Sequence, residues 1–342
     1  MHTDLHDLLA KKVIELYPEV KGIKAVEDVR SGYLSQNVIL RSGGRKLFLK
    51  QYRFDNIEKI KEIHRVKFFF VKGGIPIVLP VQNKEGSFLF ESGGKFYSLF
   101  PFVVGKTIDI NKQSRKEIES AGKMLAHIHL LSKNGYPDIT QDYAKGWNRE
   151  EFFVTIEKIK KIIEGFSTKS DFDLLALQVL DYKVQFAEKN HTSYENLNLK
   201  NDHLTHGDYH GQNVFVDDAG NVKYVFDLEK AEIAPRAVEV ARSMIHVCFS
   251  AHFEAKNFDD ARTYLHAYND IYPLNPDELI TGFQAYILKK VYSLWIEKEH
   301  YLKNNTRVDE LLQNEFLTLR YCSEHFDEFV NKLLSYSSVV GS

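Results

Sequence analysis

The sequence predicts an α+β protein of two lobes, a strand-rich front with one helix and a mainly α-helical remainder. Three observations predict it. As far as residue 102, short runs rich in Val, Ile, Leu, Phe and Tyr alternate with Gly-containing turns, the pattern of strands and hairpins. Beyond Gly105, apolar residues recur three and four positions apart, the spacing of one helical face. One pair of short apolar runs, at 214–216 and 222–226, interrupts that helical part. The division is therefore set at 1–102 and 103–342.

A chain of 342 residues is long enough for two lobes. Its 13% aromatic content implies a filled core, and 44% apolar with 27% charged residues is ordinary for a globular protein. The net charge of −2 offers no basic field to nucleic acid or an anionic membrane. Cys248 and Cys322 stand far apart, which excludes a disulfide framework and a zinc ribbon. The first ten residues carry His and Asp and no apolar run, and no apolar segment reaches membrane-spanning length. The expectation is a cytoplasmic protein whose partner is a small molecule, with neither nucleic acid nor membrane.

In order, strands are expected at 26–30 and 38–41, then at 46–52 after the turn Ser42-Gly43-Gly44-Arg45. In that last strand Leu47 and Leu49 face one side, and Phe48 and Lys50 the other. Asp55 with Glu58 opens a helix that carries Ile60, Ile63, Val66 and Phe70 and stops at Gly73-Gly74. Strands follow at 77–81, 87–91 and 95–102. Ser114 with Glu117 caps a helix whose stripe is Ile118, Ala121, Leu125 and Ile128. Further helices are expected at 150–164, 171–189, 238–255, 276–300 and 308–335.

The run His206-Gly207-Asp208-Tyr209-His210-Gly211-Gln212-Asn213 directly precedes the isolated hairpin, and Asp227 follows its far end. Phosphoryl transfer needs a carboxylate to orient the attacking hydroxyl and accept its proton, and oxygen ligands to hold Mg²⁺ on the phosphates. An Asp followed five positions later by an Asn is the spacing of a kinase catalytic loop, with Asp208 as base and Asn213 as metal ligand. A second Asp returned by the hairpin, Asp227, completes the ligand set.

These residues resemble the aminoglycoside phosphotransferase/choline kinase superfamily, which has the protein-kinase-like fold. The likeness implies ATP or GTP as donor, Mg²⁺ as cofactor, and a nucleotide seated between the lobes. It implies that Asp208 is the catalytic base, that Asn213 and Asp227 hold magnesium, and that His206 and His210 support the loop. Ser31, Gly32, Tyr33, Leu34 and Ser35 would cover the phosphates, and Lys50 would neutralise them. Glu62 is preferred to Glu58 as the partner of Lys50. The segment 99–105 resembles the hinge, with Phe100 and Phe102 lining the adenine slot. Leu125-Ala126-His127-Ile128-His129 resembles a helix of the family. Residues two apart do not share a helical face, so His129 is read as structural and His127 as facing solvent. Glu239 stands where relatives usually carry Asp; it anchors the loop or has no such role. Glu229 is either near the magnesium site or an exposed loop acid.

The reading is a Mg²⁺-dependent kinase for a hydroxyl of a sugar, amino sugar or amino-alcohol-type metabolite. An aminoglycoside-modifying phosphotransferase calls for a strongly acidic pocket, whereas the last helices mix both charges. A nucleotide-binding pseudokinase scaffold has no use for Lys50, Asp208, Asn213 and Asp227 together. A protein kinase would carry Arg in place of Gly207. Trp147 and Trp295 are either stacking platforms for the acceptor or core.

Overall fold

The computed structural model describes residues 2–29, 37–140, 148–190, 195–249 and 251–335. The chain forms two compact units, one of residues 1–106 with 224–228, the other of 107–223 with 229–342.

The first unit opens with α1 (His2–Leu16), followed by β1 (Ile23–Val29), β2 (Asn37–Ser42), β3 (Arg45–Gln51), α2 (Ile57–Lys72), β4 (Phe90–Ser92) and β5 (Lys95–Pro101). The strands form one antiparallel sheet in the order β1-β2-β3-β5-β4. Alternation along each strand sorts the two faces. Val38, Leu40, Leu49, Tyr97 and Leu99 turn to one side and pack with Leu9, Val13 and Leu16 of α1 and with Tyr17 just beyond it. The other face presents Lys50 opposite Ser98, and Phe48 opposite Phe100. There α2 contributes His64, whose Nε2 lies 2.7 Å from the Tyr52 hydroxyl, and Lys67, whose Nζ sits 4.9 Å above the Phe100 ring. The facing expected for Leu47, Phe48, Leu49 and Lys50 is the one observed.

Three expectations about this unit need correction. The cap of α2 is Asn56, which accepts from the Glu58 and Lys59 amides at 2.9 and 3.4 Å; Asp55 instead receives Lys95 Nζ at 3.0 Å. The segment 77–81 is not a strand. Only Ile77 bridges, to Val225, and Pro76 and Pro80 lack the amides that a ladder requires. That bridge ties residues 224–228 to the first unit, with Val225 N donating to Pro76 O at 2.9 Å. The strand expected at 87–91 is confined to Phe90–Ser92. Helix α1 was not foreseen.

The chain continues through β6 (Lys106–Thr107), α3 (Arg115–Ser132), α4 (Arg149–Glu164), α5 (Asp171–Lys189), β7 (His203–Thr205), β8 (Val214–Val216), β9 (Val222–Val225), β10 (Glu232–Ala234) and α6 (Arg236–Cys248). Then come α7 (Ala255–Asn269), α8 (Pro276–Tyr292), α9 (Trp295–Lys303), α10 (Leu312–Glu324) and α11 (Phe326–Leu334). The Ser114–Glu117 capping box at α3 is present in full. The helix expected at 238–255 ends at Cys248, because Phe249 is extended, and a separate α7 follows. The helix expected at 276–300 breaks at Ser293 and Leu294, and the one expected at 308–335 breaks at His325. Helix α8 lies close against α6: a Cβ on Gly282 would stand 2.7 Å from the Ala237 carbonyl carbon, so only glycine admits this approach. Cys248 and Cys322 are buried and unpaired, as expected. Among the described residues no helix is long and apolar enough to cross a membrane.

Candidate active site

The loop after β7 is held by its own backbone. Gly207 has φ of +77°, and a Cβ there would fall on the carbonyl oxygen of Lys230, so the position admits only glycine. The amides of His206 and Gly207 both donate to the Glu239 carboxylate, at 2.8 and 2.5 Å. The second acceptor role of Glu239 is toward His129 Nε2 at 3.0 Å, while His129 Nδ1 lies 2.9 Å from the Tyr268 hydroxyl. Glu239 is buried, and burial raises its carboxyl. The hydrogen bond and charge of His129 more than offset that and leave it below the ordinary range. Glu239 thus anchors the loop, and His129 is the buried structural histidine expected; His127 is exposed.

Within the loop, His206 Nδ1 accepts from the Asp208 amide at 3.2 Å, so the support expected of His206 is present. His210 Nδ1 accepts from the Gln212 amide at 3.3 Å, and its Nε2 faces Asn213 Nδ2 at 3.1 Å. Asn213 Nδ2 also donates to the Asp208 carbonyl at 2.9 Å, which ties the two residues five positions apart directly. Both contacts of Asn213 use its nitrogen. The side-chain oxygen, the atom a hard divalent cation selects, points elsewhere.

The Asp208 carboxylate is 13% exposed and held by two cations: Arg242 Nη2 donates to Oδ1, and Lys230 Nζ lies 2.9 Å from Oδ2. Burial pushes this carboxyl up; Arg242 first and Lys230 next outweigh it and hold it well below the usual range. It is ionised at neutral pH, the form a proton acceptor requires. Burial lowers His210 to about 4, so the neighbouring imidazole is neutral.

In the first unit, Lys50 Nζ lies 2.8 Å from Asp227 Oδ1. Asp227 has φ of +56°, a left-handed conformation that Asp tolerates better than most residues and that recurs at functional sites. Glu62 is buried and receives Lys59 Nζ at 3.2 Å; Glu58 is turned outward and receives Lys61 at 2.8 Å. Of the two acids, Glu62 is therefore the interior one. Phe100 is buried under Lys67, and Phe102 is half-buried with Lys46 Nζ 5.1 Å above its ring. Ser31, Gly32, Tyr33, Leu34 and Ser35 lie outside the described residues, as does Trp147. Glu229 is buried rather than an exposed loop acid. Trp295 is 37% exposed and borders a cavity of about 30 Å³ with Lys183, Lys290, Glu297 and Phe316, room for water and not for a sugar ring.

Sequence reasoning missed the roles of Arg242 and Lys230 beside Asp208. The one available signal was helical: Arg242 lies three residues beyond Glu239 on α6, hence on nearly the same face.

Residues 25–274 match the model of the phosphotransferase enzyme family. A homoserine kinase of Methylobacillus glycogenes is 21% identical over 253 residues, 74% of this chain and 73% of that protein. A spectinomycin phosphotransferase structure with ADP and spectinomycin superposes with a TM-score of 0.60 at 15% identity, covering 95% of this chain and 96% of that one. A choline kinase from Cryptosporidium parvum gives 0.61 at 12% identity, covering 96% and 99%. The fold is that of these structures, protein-kinase-like.

Proposed function

The chain belongs to the phosphotransferase enzyme family, and we propose that it is a Mg²⁺-dependent kinase moving the γ-phosphate of ATP or GTP to a hydroxyl of a small metabolite. The observation that carries this reading is the Asp208 carboxylate, ionised and fixed by a loop that Glu239 holds through two backbone amides. A donor nucleotide is supported by the ADP in the spectinomycin phosphotransferase structure.

In the reaction the acceptor oxygen bonds to the γ-phosphorus, and the bond from that phosphorus to the β–γ bridging oxygen breaks. The nucleoside diphosphate leaves, and the hydroxyl proton passes to Asp208. Lys50 would neutralise the phosphates, with Glu62 as the acid that steadies it, and the segment Ser31–Ser35 is proposed to serve the same phosphates. Phe100 and Phe102 border the base. Asn213 and Asp227 would hold Mg²⁺, which when bound neutralises charge on the β- and γ-oxygens. An amide oxygen and a carboxylate suit that hard cation.

The acceptor is placed among sugars, amino sugars and amino alcohols, the last including hydroxylated amino acids of the kind the Methylobacillus relative is named for. The test is nucleotide binding by wild type and Asp208→Ala, followed by turnover. Asp208→Ala should keep nucleotide affinity and lose transfer; a variant with wild-type kcat would overturn the assignment.

A further inference from the structure

Asp208 has two cationic neighbours, and they are not equivalent. Arg242 reaches Oδ1 from α6 with 22% of its side chain exposed, and His210 Nε2 lies 4.0 Å from the same oxygen. Lys230 lies 2.9 Å from Oδ2 with 46% of its side chain exposed. The more open side of the carboxylate is therefore Oδ2, and Lys230 stands on it.

The backbone beneath Lys230 is fixed. Residues 228–230 form a short turn directly after Asp227, with Leu228 buried. The Lys230 carbonyl lies against Gly207, and β10 follows at Glu232, paired with Thr205 of β7. The long side chain is thus the part that can move. Lys289 and Lys290 are committed elsewhere, to Glu232 at 3.0 Å and to Glu315.

Lys230 is not what chiefly keeps Asp208 ionised. Burial pushes that carboxyl up, Arg242 is the larger of the charges that bring it down, and Lys230 is the smaller. Its placement acquires a purpose when a hydroxyl arrives at Oδ2. A hydroxyl donating to Oδ2 at about 2.7 Å would lie roughly 4–5 Å from Nζ, at an ordinary angle between two donors on one oxygen. The phosphoryl group that this hydroxyl attacks brings its equatorial oxygens within reach of the ammonium, and those oxygens carry the charge of the transition state. As the proton passes to Asp208, the carboxylate loses the charge that held Lys230. An ammonium that transfers its attraction at that moment binds the transition state more tightly than the ground state.

We propose that Lys230 is a second catalytic residue, donating from Nζ to an equatorial oxygen of the γ-phosphoryl group as it passes to the acceptor. This rests on the reading of Asp208 as the base. The bonds made and broken are those given above. Lys230 keeps all its protons, and only its hydrogen bond moves, from Oδ2 to the phosphoryl oxygen.

The test needs no identified acceptor: aluminium fluoride with Mg²⁺ and ADP mimics the phosphoryl group in flight, and water is the acceptor in slow ATP hydrolysis. Calorimetry on the full chain compares Mg²⁺·ADP with and without aluminium fluoride for wild type and Lys230→Met, each also in an Asp208→Asn background. Wild type should bind ADP at least about 100-fold more tightly with aluminium fluoride. Lys230→Met should lose at least about tenfold of that gain while its affinity for Mg²⁺·ADP stays within about threefold. The same loss should appear with Asn at position 208, because the contact is direct. Hydrolysis by Lys230→Met should fall about 100-fold in kcat with KM within about threefold. Lys230→Cys alkylated with bromoethylamine restores an ammonium and should regain most of that rate, since Cys248 and Cys322 are buried and spared.

A Lys230→Met protein that gains as much from aluminium fluoride as wild type overturns the inference and leaves the kinase standing. So does a loss that vanishes in the Asp208→Asn background, or hydrolysis that depends on Asp208 and not on Lys230. Hydrolysis indifferent to Asp208, with no gain from aluminium fluoride in wild type, overturns the kinase reading itself.

Discussion

Asp208 and Asp227 are both aspartates in the same short stretch of chain, yet they are held in different ways. Asp208 is 13% exposed, sits in a loop whose amides are bound by Glu239, and is flanked by Arg242 and Lys230. Asp227 is 42% exposed, has a left-handed backbone, and meets Lys50. The first is fixed by the packing around it and kept ionised by fixed charges, as suits a residue that handles a proton. The second is more open to solvent, which is compatible with the metal-ligand role proposed for it.

The comparison can be broken at several points. The largest effect is expected from Asp208→Asn, which keeps the shape of the side chain and removes the proton acceptor. Turnover should fall by about 10²–10⁴-fold with nucleotide affinity retained, measured by steady-state kinetics and calorimetry. Asp227→Ala should differ in kind, raising the Mg²⁺ and nucleotide concentrations required as well as lowering kcat. An unchanged Mg²⁺ titration would remove Asp227 from the ligand set.

Next come the supports of the loop. Gly207→Ala forces a Cβ onto the Lys230 carbonyl oxygen and should cost several kcal/mol, about 3, in denaturant unfolding. Glu239→Ala strands the amides of His206 and Gly207 and should cost about 2–4 kcal/mol, with activity lost in step. Glu239→Gln keeps one acceptor and should cost less; equal losses for the two would argue against the anchoring role.

The smallest effect is a null one with a definite sign. A carboxyl held below its ordinary range keeps its charge as pH falls, so Asp208 should add no acid limb to kcat/KM above about pH 5. The stability that Asp208 gains from Arg242 and Lys230 is present above its unfolded pKa and is lost as pH falls through the folded one. An acid limb near pH 6 that disappears in Asp208→Asn would contradict this environment.

Much of this was legible before the fold was seen. The spacing of Asp208 and Asn213 reflects a real contact, since Asn213 bonds the Asp208 carbonyl. The facing of Lys50 followed from strand alternation, and the capping box at Ser114 followed from its four residues. Glu239 stood in the right place for an anchor, but its reach became visible only once α6 brought it to the loop. Arg242 was hidden for the same reason: its meaning comes from a contact 34 residues away, which no local pattern records. Helix α7 was missed because its buried face is built largely from Phe258, Tyr264 and Tyr268, aromatics that carry no strong helical signal. The strand expected at 77–81 failed because its apolar run lies between Pro76 and Pro80.

The most direct test of the central claim is ATP-dependent phosphorylation of a small-molecule panel by wild type and Asp208→Asn, with Mg²⁺·ATP binding measured on both. Wild type should yield a phosphorylated alcohol and the variant none, with similar nucleotide affinity for the two. Transfer that survives in Asp208→Asn at the wild-type rate would contradict it.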